Sequence, residues 1–560
     1  MIDDLSTGEI GKELEADICV VGGGAAGISF ALQFLGTGLS VLLLESGGKV
    51  ETAEAQSLYS GDVVRPDLHP PADRYRHRVL GGASQTWGGR CVPYDPSDFE
   101  ALPWIPQSGW PIPYQEVARY YPAASKLAEA GDGIYSAQEA IEGGMCPMID
   151  GFSPEALDVD TVERFSCPTN FGRRYFHRLA LSDNVRLLLN ATCTSIGCSE
   201  DGGRVERLSV RSLNGNEVTV RAKQIILSLG GLETARLLLA SRSSQYPSGV
   251  GNNHDLVGRY YMCHIAGTIG DLVFKPGTKV WHGYERSWDG VYCRRRIVLR
   301  REARERERIG NVVFRIHHPR LSNPRHKTGI LSLIYLAKPF ISLEYAKRLH
   351  GDEIPGLGSY LRHVINAATQ PFQIASFLLN WVRRRTLAAR KFPTLIITPK
   401  AAIFSVDVNG EQCPNPESRV TLSDKLDALG MPRLTIDWRY SDLDIVTIRK
   451  GLEILKAEME RWGGAQLDFS PDEVEHCMLR DGAFGGHHIG TTRMSADPRS
   501  GVVDENCRVH GMENLFIASS STFPTSSQAN PTLTIIAMAL RLADHVKELH
   551  QDRLSAAAAQ

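Results

Sequence analysis

Apolar residues first gather at Ala16-Asp-Ile-Cys-Val-Val21, a run too short for a helix, and three glycines, Gly22 to Gly24, end it. Apolar positions then continue densely from Ala25 to Leu35, and a second short run, Val41-Leu-Leu-Leu44, stops at Glu45. Short apolar runs bounded by turn residues read as strands, and the longer stretch between them as a helix. The pattern therefore predicts strand, glycine turn, helix and strand within about thirty residues. Strand-like runs return at Val185-Arg-Leu-Leu-Leu189 and Glu217-Val-Thr-Val-Arg221, with Asp201-Gly-Gly and Asn214-Gly as turns between them. They lead into Gln224-Ile-Ile-Leu-Ser-Leu229, where Gly230-Gly231 opens another helix. This second glycine turn is predicted to close on the first.

From about residue 270 to 480 the pattern changes to strands such as Asn311-Val-Val-Phe-Arg315 and Arg419-Val-Thr-Leu422, interrupted near 330–395 by a helix-rich basic stretch. There Ile374, Phe377, Leu378 and Trp381 share one helical face, and Arg383-Arg-Arg385 follows. A core or subunit-facing helix with a solvated end fits these residues. So does a monotopic helix making peripheral membrane contact through 372–385, and so does an apolar lid over a site.

Length and charge narrow the picture. The 560 residues exceed what a single core usually fills, so two domains are expected. Lys and Arg number 62 against 64 Asp and Glu, a net charge of −2, which leaves no basic excess for nucleic acid. The eleven cysteines are scattered without CxxC or Cys/His ligand spacing, so reduced thiols and no metal are expected. The first residues are acidic and polar, unlike a secretion signal, and no apolar run reaches the roughly 18 residues of a membrane span. The expected location is the cytoplasm.

The first glycine turn carries chemistry. In a strand-turn-helix context Gly22 permits the tight turn, Gly24 lets a pyrophosphate approach the backbone and Gly27 lets helix and strand pack closely. The first helical amides, at Ala25 and Ala26, then face the phosphates. Glu45, with Ser46 beside it, ends the second strand where a carboxylate accepts hydrogen bonds from ribose hydroxyls and disfavours a 2′-phosphate. A second glycine cluster, Gly81-Gly82-Ala-Ser84-Gln-Thr86-Trp87-Gly88-Gly89, is too glycine-rich for a helix or central strand and suits a cradle against a flat ligand. Near the C-terminus Gly-Gly-His487-His488-Ile-Gly490-Thr491 precedes Asn530-Pro531-Thr532-Leu-Thr, so a titratable base and a neutral amide stand at fixed landmarks.

With these motifs in order, the chain resembles the glucose-methanol-choline (GMC) oxidoreductases, flavoenzymes that oxidise alcohols. The most specific part is His487-x-x-Gly490-Thr491-x-Arg493-Met494, Gly501-Val-Val-Asp504, Arg508-Val-His-Gly511, Asn514-Leu, Phe523-Pro-Thr525 and Asn530-Pro531. It looks closest to the pyranose-oxidase-like branch, where the catalytic pair is His and Asn. The resemblance implies an α/β fold: a discontinuous Rossmann-like FAD-binding domain (1–100, 180–265 and 485–560) and an α+β substrate domain on an antiparallel sheet (101–179 and 266–484). It adds Cys193, Gly230, Ser519, Pro531 and Thr532 to the cofactor contacts. Two departures are visible. Thr86 stands where a histidine of that branch can bond covalently to flavin, so FAD is expected without a covalent link, and Ser519 stands where many members have Asp.

The implied reaction is removal of a hydroxyl proton as hydride leaves the adjacent carbon for flavin N5, on a sugar, glycoside or polyol-like alcohol. His487 is the expected base, because imidazole titrates near neutrality, and Asn530 the donor to the substrate oxygen. His488 is the expected bystander, since neighbours in an extended segment point to opposite sides. The helix after Pro531 would turn its positive end toward reduced flavin. Gln412 is a further candidate for substrate contact. The alternatives are a lyase that keeps redox-inert flavin, and a membrane-associated flavoprotein dehydrogenase passing electrons to a quinone or protein. The fingerprint by itself also allows a nicotinamide dehydrogenase, which would leave the cradle and C-terminal block without a role.

Overall fold

The protein is described by a computed structural model, which covers residues 1–142, 146–337, 356–394, 396–480 and 483–558, side chains at 483–485 and 553–558 excepted. The apolar run of the N-terminus forms the strand Glu13–Val21, fully buried over its last four residues. Such a two-sided apolar strand belongs in the middle of a sheet with both faces covered. It pairs in parallel with Val41–Leu44 on one side and Glu217–Leu227 on the other. The eight-stranded sheet runs Ile2–Asp4, Val185–Leu189, Val41–Leu44, Glu13–Val21, Glu217–Leu227, Val205–Arg211 and Thr192–Cys198, with Leu515–Ile517 also beside Glu217–Leu227. Glycine geometry joins its two turns. Gly22 has φ +111°, and a Cβ there would lie 2.5 Å from the Ser228 carbonyl oxygen, so the turns after Val21 and Leu227 touch through backbone. A Cβ on Gly27 would lie 2.0 Å from the Gly22 oxygen, which is the close helix-to-turn approach the motif needs.

The second sheet has nine strands and only antiparallel pairs. Its order is Ala465–Asp468, Met262–Phe274, Ile403–Gly410, Val312–His317, Tyr292–Leu299, Leu157–Phe165 and Arg90–Cys91, with Tyr284–Arg286 on Tyr292–Leu299. The strand Ala483–Ile489, which carries the His-His pair, joins this sheet through Met262–Phe274. The base candidate is thereby delivered by the substrate-side sheet, while Asn530 stands at the entry of the long helix Thr532–Ala558. That helix packs against the fingerprint helix Ala25–Ala31. The two ends of the chain thus meet, and both helices begin at the same cavity.

In the 330–395 region the structure has the helices Gly329–Leu336, Leu357–Ala368 and Pro371–Trp381. Ile374 and Phe377 lean on a small cluster of Leu321, Ile330, Leu331, Tyr335 and Ile397. Leu378 does not share that face and is 48 % exposed. The helix Pro371–Trp381 has no fully buried residue, so it is not a core helix.

Candidate functional site

A cavity of about 1100 Å³ runs between the two sheets. One end is walled by the fingerprint turn, Gly22 to Ala26, with Glu45, Ser46, Arg78 and the Ser228–Gly231 turn. Here backbone amides of two glycine turns converge on open space; a Cβ on Gly24 would touch nothing within 4 Å. Glu45 is buried, its Oε2 accepting from Gly23 N at 2.9 Å and its Oε1 from Gly47 N at 2.8 Å. Burial raises its pKa, against the pull of these amides and of Arg78. Two donors in the wall, Arg78 Nε and Ser228 Oγ, are buried without a protein partner. Unpaired buried donors are costly, so they mark places where a ligand supplies acceptors.

The middle of the cavity holds a chain of imidazoles. His264, on Met262–Phe274, is fully buried, and its Nε2 lies 3.2 Å from the Ser526 carbonyl oxygen, which can only accept. That nitrogen must therefore carry the proton. Burial depresses the pKa of His264 to about 4, so it is neutral near pH 7 and its Nδ1 is a bare acceptor. His487 Nδ1 lies 2.6 Å away and donates to it. Neutral His487 is thereby fixed with its Nε2 unprotonated, facing Asn530 Nδ2 at 3.1 Å. The amide donates to this nitrogen, and a hydroxyl that takes over this bond from the cavity side can donate to Nε2 and accept from the amide. The adjoining His488 also borders the cavity, but its ring packs on Tyr261, and Ser520 Oγ donates to its carbonyl at 2.8 Å. Burial holds its pKa well below the usual value.

The far wall is one face of the second sheet. His264, Ala266 and Thr268 reach it from alternate positions of their strand, as do Ser405, Asp407 and Asn409 from theirs. Register places Thr268 opposite Asp407 and Asp407 opposite Arg315. Arg315 Nε bonds Glu163 at 2.6 Å, and Arg90 lies 3.3 Å from the same carboxylate. Burial would raise the Glu163 pKa, but Arg315 and Arg90 outweigh it and hold it near 2. Arg294 adds a donor whose bonds go to backbone carbonyls, His282 at 3.4 Å and Ile316 at 2.9 Å. The wall is a field of fixed polar groups.

Residues 17–249 match the family model of FAD dependent oxidoreductases, and residues 414–539 match that of the GMC oxidoreductase C-terminal region. The chain thus carries an FAD-dependent oxidoreductase region and a GMC oxidoreductase C-terminal region, the make-up of an FAD-dependent alcohol oxidoreductase. The chain is 22 % identical to the fructose dehydrogenase large subunit of Gluconobacter japonicus, over 96 % of this chain and 98 % of that one. It is 27 % identical to pyranose 2-oxidase of Tricholoma matsutake over 24 % of its own length and 22 % of the relative's. An FAD-dependent oxidoreductase from Chaetomium thermophilum shares the fold with a TM-score of 0.55 at 17 % identity, covering 96 % of this chain and all of that one.

Of the expected site residues, Gly22, Gly24, Ala25, Ala26, Glu45, Ser46, Gly82, Ser84, Thr86, Trp87, Gly230, Ser519, Pro531 and Thr532 line the cavity together with His487 and Asn530. The open backbone at Gly24 and the unpaired donors at Arg78 and Ser228 fit FAD at this end. Other expected residues do not reach the cavity. Gly27 lies beneath the turn, Gly81 abuts Gly172, and Gly89 sits against Ser166 and Pro168, so these three shape the cradle without touching its contents. Cys193 is buried in the strand Thr192–Cys198, its thiol 3.8 Å from the Ser195 carbonyl, and is not a wall residue. Gln412, the candidate for substrate contact, does not line the cavity. Its Oε1 accepts from Cys263 N at 2.7 Å and Trp438 Nε1 at 2.9 Å, and its Nε2 donates to the Arg439 carbonyl at 2.7 Å. With those groups spent and no exposure, it braces the second sheet and cannot address substrate.

Sequence reasoning missed His264, Arg315 and Arg294, which carry no local motif. It also missed His77, whose Nε2 meets Thr86 Oγ1 at 2.9 Å in the cradle. Among the described residues there is no cluster able to hold a metal ion and no helix long and apolar enough to cross a membrane.

Proposed function

We propose that the enzyme oxidises a CH–OH group of a sugar, glycoside or polyol-like alcohol to a carbonyl, with His487 as general base and Asn530 holding the substrate oxygen. FAD, when bound, supplies the hydride acceptor. His487 Nε2 takes the hydroxyl proton, and Asn530 Nδ2 donates to the oxygen while negative charge develops on it. The observation that carries this reading is the fixed tautomer: the Ser526 carbonyl, through His264, leaves His487 Nε2 without a proton, so that at the cavity it accepts from Asn530 Nδ2. The polar wall around Thr268, Asp407 and Arg315 offers donors and acceptors for several hydroxyls at once, as the sugar-named relatives would require. The start of the helix Thr532–Ala558 turns its positive end to the same cavity.

Anaerobic addition of members of a sugar, glycoside and polyol panel is expected to bleach the oxidised-flavin absorbance. Asn530→Ala should slow that bleaching by about 10- to 150-fold, the worth of one hydrogen bond to a charging group. A flavin that no alcohol of the panel reduces, or an Asn530→Ala enzyme as fast as the wild type, refutes the reading.

His264 is a positioning residue in this scheme. By accepting from Nδ1 it favours the imidazolium form that His487 adopts after taking the proton. His264→Phe removes that acceptor, so the His487 pKa falls and the acidic limb of the kcat–pH profile moves to lower pH. The turnover number should drop by roughly tenfold with little change in KM. An unshifted acidic limb would mean that His264 only fills space.

A further inference from the structure

The helix Leu357–Ala368 has its polarity inverted for a helix in water. Its one buried side chain is His363, with Nδ1 3.0 Å from Ser332 Oγ and Nε2 3.2 Å from the Ser322 carbonyl. Asn366 likewise turns inward and donates to the Pro324 carbonyl at 3.0 Å. The apolar side chains face out: Leu357 is 86 % exposed, Leu361 59 % and Ile365 51 %. In the next helix, Pro371–Trp381, Phe372 and Leu379 lie about two turns apart on one face and are 89 % and 73 % exposed. More than half of the exposed large apolar side chains of the described residues lie between 357 and 387. Single exposed apolar residues are normal, but a contiguous patch on two successive helices marks a surface that meets something apolar.

Charge decides what that is. Between residues 354 and 406 the sequence has seven Lys and Arg and no Asp or Glu, in a chain whose net charge is −2. A protein interface does not require acids to be excluded over such a length, whereas an anionic lipid surface repels every one of them. The patch also adjoins the catalytic cavity, because Trp381 and Arg385 belong to its wall.

We propose that the helices Leu357–Ala368 and Pro371–Trp381 seat the enzyme on an anionic lipid bilayer, their apolar sides in the acyl boundary and the flanking arginines among the headgroups. The cavity then lies beside the lipid, and a membrane-dissolved reactant reaches it without crossing water. The seat is independent of the chemistry at His487.

Flotation of the holoenzyme with phosphatidylcholine vesicles, with and without phosphatidylglycerol, tests this. Binding is expected with the anionic vesicles and should weaken as salt screens the arginines. The double variant Leu361→Glu/Leu379→Glu should lose flotation while keeping its flavin and its melting temperature. Arg362→Gln/Arg383→Gln should bind about fivefold more weakly for each arginine removed. Absence of flotation with anionic vesicles overturns the proposal, as does flotation undiminished in the leucine variant. A dimer in light scattering that the leucine variant splits also overturns it, since a second copy would then be the occupant.

Discussion

Replacing His487 with alanine is expected to slow anaerobic flavin reduction by about 10²- to 10⁴-fold while flavin remains bound, the usual share of a positioned general base. The FAD end of the cavity, at Gly22 to Ala26, Glu45 and Ser228, makes no use of this imidazole, so flavin content should match the wild type. The loss should fall on kcat and kcat/KM together, because the proton moves only as the C–H bond breaks. His488→Ala is the control. That ring is buried against Tyr261 and makes no hydrogen bond to Asn530, so its removal should lower the melting temperature more than the rate. Stopped-flow reduction of both variants checks the assignment, and it is lost if His487→Ala is reduced at the wild-type rate.

Glu233→Ala should cost about 3–5 kcal/mol of stability, as removal of one partner from a buried ion cluster does. The Glu233 carboxylate is 2.6 Å from Arg78, 3.0 Å from Arg236 and 3.5 Å from Arg76. Without it Arg236 keeps an ion pair, to Asp427 at 2.6 Å, while among the described residues Arg76 and Arg78 lose theirs. Burial pushes the Glu233 pKa up, but Arg78, Arg236 and Arg76 outweigh it and hold it near 2. A depressed acid stabilises the fold above its unfolded pKa and loses that contribution as pH falls through the folded value. The variant's deficit should therefore be complete at neutral pH and shrink as pH falls from about 4.5 toward 2. Arg76 and Arg78 also line the cavity, so flavin content should fall with stability. Urea titrations with and without added FAD, at several pH values, measure both effects. A deficit that does not vary with pH would assign the loss to packing.

Much of the nucleotide-binding half is legible along the chain. The run Ala16–Val21, the glycines that end it and the return at Val41–Leu44 appear as strand, turn and parallel partner, because each step is enforced locally. Gly22 is a clear case: its φ of +111° and the Ser228 backbone against it leave no room for another residue type. The substrate half is less legible. Its sheet is built from strands far apart in sequence, and which residues share a wall depends on register, which no local pattern encodes.

Gln412 and His264 illustrate the difference. A glutamine in a polar loop reads as available, yet the fold spends its amide on Cys263, Trp438 and Arg439. His264 has no motif around it, yet strand pairing brings it 2.6 Å from a histidine 223 residues away. The helix at 371–381 follows the same logic. Its apolar periodicity is plain in the sequence, but that only the Ile374 side finds a partner while Phe372 and Leu379 stay bare is a tertiary fact.

The sequence by itself determined the glycine turns, the dinucleotide-binding unit and the presence of a histidine and an asparagine at fixed landmarks, since backbone strain and helix capping are written in residue type. Only the tertiary structure decided what those groups do. An imidazole or an amide can donate, accept or brace, and its partner selects among these. The Ser526 carbonyl selects the tautomer of His264, and His264 in turn selects that of His487.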